Sequence, residues 1–173
     1  MTHIPSVAVD DGFAQIKVVS VGEDGAFQCR SFRSSIRHGA IASVSGEGAV
    51  ATYSTDGGQT KMSVSDEVAG ESTRFDGFHT SAMNRILIAH GLMASGFADQ
   101  TIDLCAGLPV SDYFLGQARN EELIQRKSAR LRIPVESLVP DYGPCPKYTT
   151  NERGCQALAA LMACAIRHHF NAC

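Results

Sequence analysis

Residues 7–19 read VAVDDGFAQIKVV, and this stretch leaves the start of the chain little freedom. Two short apolar runs rich in β-branched residues, SVAVD and QIKVVSV, lie only a few residues apart. Each has the composition and length of a buried strand rather than a helix. Gly12 between them allows a sharp reversal, so the two runs are expected to pair as a hairpin. Asp24 and Gly25 mark a second turn before AFQCRSFRS, a third β-prone run. The chain is therefore expected to open as a β-meander.

The turn itself is unusual, because two acids, Asp10 and Asp11, end the first apolar run. In a sharp glycine turn, successive backbone N–H groups can converge on one point and hold an anion. Gly12, Phe13 and Ala14 form such a candidate phosphate cradle, and Lys17 on the next strand supplies a fixed positive charge. Carboxylates beside a phosphate repel it unless a divalent cation intervenes. Asp10 and Asp11 then make sense as ligands, usually through water, of a magnesium ion that accompanies a nucleotide. An ordinary hairpin turn also favours Asp and Gly, so the residues alone leave both readings open. No Walker motif and no GxGxxG is present.

Further along, AVATYSTDGGQTKMSVS reads as a second hairpin around Asp56, Gly57 and Gly58. TSAMNRILIAHGLMASG is the clearest helix, with Thr80 or Ser81 as its cap and Gly96 at its end. TIDLCAGLP follows as a buried strand. A second helix is expected from Asn120, with Glu121, Glu122, Gln125, Arg126 and Arg130 on its wet face and RKSAR as a solvated run. RIPVESLVP reads as a last strand. The order of strands, then helix, strand, helix and strand, predicts an α/β layer structure with a mixed sheet. His90, set among apolar residues of the first helix, is expected to be a satisfied, partly buried histidine.

The net charge of −3 argues against a nucleic-acid binder built on a broad basic surface. No apolar run approaches the roughly 20 residues of a membrane span. The N-terminus has no signal-peptide pattern, so a cytoplasmic location is expected. The six cysteines form no CxxC pair and read as free thiols.

These residues resemble a known family. The apolar strand, Asp10, Asp11, Gly12 and a lysine five residues beyond the glycine, Lys17, are similar to the first phosphate loop of actin-like ATPases, and most closely to the ParM/StbA plasmid segregation family. SAMNRILIAHGLMASGFADQTIDLCAGLPVSDYF resembles that family's helix–strand segment, NEELIQRKSARL its following helix, and ESLVPDYG its later strand, proline and acid. Together these cover about residues 7–142. The resemblance implies an α/β, actin-like (ribonuclease H-like) domain with a mixed β-sheet flanked by helices, the first of two actin-fold domains that clasp ATP or GTP with Mg2+. It implies hydrolysis of the nucleotide and self-association into filaments that segregate plasmid DNA. It also implies an adaptor of the ParR/StbB type on centromere-like DNA, with neither direct DNA binding nor membrane contact. Residue by residue, Asp10 would face the magnesium and Asp11 would hold the turn beside the nucleotide. Gly12, Phe13 and Ala14 would offer N–H groups to the phosphates, and Lys17 its ammonium. Asp141 would help orient the attacking water, although it is shorter than the glutamate usual there.

The second phosphate loop of such proteins, Asp-x-Gly-Gly-Thr, does not occur after residue 141, nor does an adenosine-binding glycine motif. Residues 1–142 are thus expected to form the N-terminal domain. Residues 143–173 are expected to form an atypical tail, foreign to the family, with one helix over NERGCQALAALMACAIRHHF and a truncated or frame-shifted gene as its origin. A chain with half of the clamp is expected to bind nucleotide poorly. The competing expectation is an inactive remnant that only contacts filaments of an intact homologue.

Overall fold

The computed structural model describes residues 4–22, 24–41, 50–66, 69–139 and 143–149. β1 (Ser6–Asp11) and β2 (Gln15–Val21) pair antiparallel, with Asp11 opposite Ile16, and β3 (Phe27–Arg33) pairs antiparallel with β2. The opening meander is therefore present as the sequence predicts. β4 (Ile36–His38), β5 (Ala51–Thr55) and β6 (Thr60–Val64) follow. A 3₁₀ turn over Phe78–Thr80 leads into α1 (Ala82–Ala94), then β7 (Thr101–Ala106) and a single helical turn α2 (Val110–Tyr113). A small ribbon of β8 (Phe114–Leu115) and β9 (Ala118–Arg119) precedes α3 (Glu121–Leu131), β10 (Val135–Ser137) and β11 (Lys147–Thr149).

The strands form two main sheets where the sequence suggested one. The first is mixed, in the order β11-β7-β1-β2-β3, with β7 parallel to both β1 and β11. The second is antiparallel, in the order β10-β5-β6-β4. α1 explains the division. Ten of its thirteen residues are buried, because it packs on β1 and β2 with one side and on β5 and β6 with another. A helix buried nearly all round needs an apolar layer on more than one side. Val7, Val9, Ile16, Val18, Ile102 and Leu104 supply one layer, and Ala51, Tyr53, Met62 and Val64 the other. Gly91 marks the closest approach: a Cβ there would lie 3.1 Å from Ile16 Cγ2 and 3.3 Å from Val18 Cγ2.

Both helices start as the sequence predicts. The Ser81 side chain accepts from Asn84 N, and the Asn120 side chain accepts from Leu123 N, each satisfying an otherwise orphaned helix N–H. Gly96 follows α1 at φ 93°, the left-handed conformation that favours glycine. The loop between β5 and β6 places Asp56, Gly57 and Gly58 in succession at positive φ, which accounts for that tripeptide. β11 lies within residues 143–149 and adds a parallel edge strand to the first sheet. Three residues between prolines and threonines are too few for a periodic signal. The helix expected over NERGCQALAALMACAIRHHF lies outside the described residues. No described helix is long and apolar enough to cross a membrane.

Candidate functional site

β1 and β7 are parallel neighbours in the middle of the first sheet, and their C-terminal ends are the natural place for a ligand in an open α/β sheet. The acid–glycine turn lies at the end of β1, and residues 107–109 (Gly-Leu-Pro) at the end of β7. The last backbone bond between them is a long one, from Gly107 N to Val9 O at 3.4 Å.

Asp10 and Lys17 stand directly opposite each other across the hairpin, with Nζ 3.3 Å from Oδ2. Both side chains are nearly half exposed. A pair this wet is held by little, about 0–1 kcal/mol, so each partner can be recruited by an incoming ion.

Gly12, Phe13 and Ala14 connect the strands, and their carbonyls are tied back into the protein. Ser34 Oγ donates to Gly12 O at 2.9 Å, Thr73 Oγ1 to Phe13 O at 2.6 Å, and Ser34 N to Ala14 O at 2.9 Å. The Asp11–Ile16 pair ends the ladder by directing the Gly12 N–H to Gln15 O, whereas the N–H groups of Phe13 and Ala14 have no backbone acceptor among the described residues. A turn whose acceptors are occupied and two of whose donors are open suits an anion. Phe13 is partly exposed, and its ring packs against Phe78 and His79.

Asp11 faces the other way. Its side chain is 3% exposed, and its Oδ2 accepts from Lys127 Nζ at 2.6 Å, Asn84 Nδ2 at 2.6 Å and His79 Nδ1 at 3.1 Å. Burial by itself raises the Asp11 carboxyl. The Lys127 charge and the three hydrogen bonds outweigh it and hold the group below the usual carboxylate range. Lys127 Nζ also donates to Gly107 O. His79 Nε2 and Asn84 Oδ1 are buried and have no partner among the described residues.

The buried Lys127 corrects one expectation. The RKSAR run is not a solvated face throughout, since Lys127 is 3% exposed between Ile124 and Leu131 on the inner side of α3. The signal was present in the spacing: 124, 127 and 131 share one helical face, and a lysine there breaks an apolar stripe. His79 and Asn84 carried no such signal. Asp141 lies outside the described residues. His90 is held as expected, its Nδ1 2.9 Å from Tyr53 Oη.

A separate cleft of about 820 Å3 lies beside β10 and β11, walled by Pro134, Val135, Leu138, Pro144, Pro146 and Tyr148. Prolines have no N–H to offer, and no carboxylate pair stands there among the described residues, so the acid–glycine turn is the better candidate for phosphate. Cys29, Cys105 and Cys145 are free thiols, and no cluster of metal-ligating side chains occurs among the described residues.

Residues 6–142 match the family model for the N-terminal part of plasmid segregation protein ParM. The chain belongs to the ParM family. Its fold is actin-like. It is similar to Ta0583, an archaeal actin homolog, at TM-score 0.55 and 22% identity, over 87% of this chain and 46% of that one. A non-polymerisable quadruple mutant of pCBH ParM aligns at TM-score 0.57 and 17% identity, over 92% of this chain and 52% of that one. Bacillus thuringiensis ParM with ATP aligns at TM-score 0.51 and 16% identity, over 86% and 43%. The chain spans about half the length of these ParM and actin-homolog structures. A comparison with curated proteins finds no match.

Proposed function

We propose that this chain carries the first phosphate loop of an actin-like, ParM-type nucleotide-binding protein of plasmid partitioning. The observation that carries the reading is the turn of residues 12–14, whose carbonyls are bonded inward while the N–H groups of Phe13 and Ala14 stay open beside the Asp10–Lys17 pair. Bacillus thuringiensis ParM has been solved with ATP, with AMPPNP and with ADP, which supports a nucleotide as the ligand class. In this reading the N–H groups of Phe13 and Ala14 receive phosphate oxygens, Gly12 lets the backbone approach them closely, and Lys17 leaves Asp10 to contact them. Asp10 would hold Mg2+ through its water shell. The oxygen-only chemistry of Asp10 fits that hard cation, which would neutralise the phosphates and polarise them. Asp11 holds the turn from behind. Asp141 orients water for hydrolysis, ATP or GTP is the substrate, and filaments with a ParR/StbB-type adaptor and a cytoplasmic location complete the proposal.

Residues 1–173 contain one of the two loops that such a clamp uses. Stabilising charge on the γ-phosphate takes donors from both sides, so this chain alone is expected to bind Mg-ATP weakly and to turn it over immeasurably slowly. Chemical-shift titration with Mg-ATP tests the binding. The amides of residues 12–14 should move, and Asp10→Ala or Lys17→Ala should weaken the response about tenfold. Unmoved turn amides, or Asp10→Ala binding like wild type, would sink the assignment. A second reading stands beside it: a domain that only binds filaments of an intact homologue. Light scattering with Mg-ATP, followed by co-sedimentation with such filaments, separates the two.

A further inference from the structure

Lys127 is an expensive residue for its position. Ile124 and Leu131, on the same face of α3, are apolar and buried. An apolar side chain at 127 would extend that stripe without the desolvation of a buried ion pair, and such replacements are often neutral or favourable for stability alone. The lysine instead sends one ammonium to two places, Asp11 Oδ2 at the end of β1 and Gly107 O at the end of β7. It does so where the ladder between these strands gives out, beyond the 3.4 Å bond from Gly107 N to Val9 O. His79 and Asn84 converge on the same Asp11 oxygen, from the 3₁₀ turn and from α1. Four elements therefore meet behind the acid–glycine turn. The opposite face of that turn presents the open N–H groups and the Asp10–Lys17 pair.

We propose that Lys127 is a positioning residue, which locks the acid–glycine turn and the turn of residues 107–109 into one rigid unit facing the bound phosphate. The facing phosphate rests on the nucleotide reading above; the locking of the two turns does not. A compact ammonium with three rotatable donors can bridge a carboxylate and a carbonyl at once, whereas arginine holds its donors in a rigid planar fork and does not reproduce that geometry. The lock also sets local charge: Lys127 cancels Asp11, so the turn does not present two uncompensated carboxylates to an anion.

The experiment uses the full chain with Lys127→Met, Lys127→Arg and the double variant Asp11→Asn/Lys127→Met. The double variant removes both charges and so separates the bridge from charge balance. Amide exchange is read without nucleotide at Ser34, bonded to Ala14 O, and at Gly107, and compared with Ile88 in the core of α1 in the same sample. The proposal expects Ser34 and Gly107 to exchange about tenfold faster than in wild type, relative to Ile88, in all three variants. It expects this in the double variant even where the thermal midpoint recovers. Wild-type exchange at Ser34 and Gly107 in the double variant would overturn it, as would equal acceleration at Ile88, which marks loss of global stability only. Titration with Mg-ATP is the second arm. Where wild type binds, the double variant should bind about tenfold more weakly, and undiminished binding would also overturn the proposal. If wild type does not bind, the nucleotide reading fails while the exchange arm still decides the role of Lys127.

Discussion

Arg85 sits in the middle of α1, 2% exposed, with every arm of its guanidinium engaged. Nε and Nη2 donate to Thr55 Oγ1 at 3.1 and 2.9 Å, Nη1 to Arg130 O at 3.2 Å, and Nη2 to Asp56 Oδ1 at 2.9 Å. Burial lowers its pKa and the Asp56 charge opposes that; arginine remains charged under either influence. One side chain thus fastens α1 to the end of β5 and to the last turn of α3. It also explains why Asp56 tolerates φ 55°: the turn aims its carboxylate at the guanidinium. Breaking a buried pair costs about 3–5 kcal/mol, and Asp56 is one-third exposed and can rehydrate. Arg85→Met should therefore lose about 3 kcal/mol, read as a lower urea midpoint with an unchanged slope. A loss below about 1 kcal/mol would mean that the partners find water as good a neighbour.

At the scale of elements, the packing of α1 on the first sheet depends on having no side chain at Gly91. Alanine in a helix interior gains about 1 kcal/mol over glycine. Here its methyl would press on Ile16 Cγ2 and Val18 Cγ2, both on stiff β-branched side chains of the buried sheet face. Overpacking of this kind costs about 1–3 kcal/mol, so Gly91→Ala should be net destabilising by about 1 kcal/mol in chemical denaturation, against the propensity scale. A stabilised variant would show that the helix can lift off the sheet. The same helix carries a pH response. Burial lowers the pKa of His90 from 6.5, and the Asp66 charge opposes this without cancelling it. The unfolded chain therefore takes up that proton first as pH falls. His90 contributes stability above pH 6.5 that is lost as pH falls from there through the lower folded value. The urea midpoint should drop between about pH 7.5 and 5.5, and the drop should shrink in His90→Gln; equal drops would assign the response to other groups.

For the molecule as a whole, the architecture brings four separate stretches of sequence to one place. The acids come from β1, the lysine partner from α3, the imidazole from the 3₁₀ turn and the carboxamide from α1. The separations in sequence run from 68 residues for His79 to 116 for Lys127. This is why the outward half of the candidate site could be proposed from the chain and the inward half could not. Asp10, Gly12, Phe13, Ala14 and Lys17 lie within eight residues of each other on a hairpin that β-propensity and one glycine define locally. Asp11 is the next residue in the same motif. Which of its partners lies behind it is set by α1 and α3 crossing the sheet, and no local pattern carries that.

The sequence by itself determined the meander, the helix starts near Ser81 and at Asn120, and the hairpin turn at residues 56–58, because each depends on neighbours within a turn or two of chain, and its motifs in order along residues 7–142 indicated the family. Only the tertiary structure decided that the strands divide into two sheets around a helix buried on both sides. It alone gave Arg85 and Lys127 their interior partners, in a position that composition argues against. The physical reason is common to both. A charge leaves water only when distant partners replace its hydration together, and that condition exists once the chain has folded and at no earlier level.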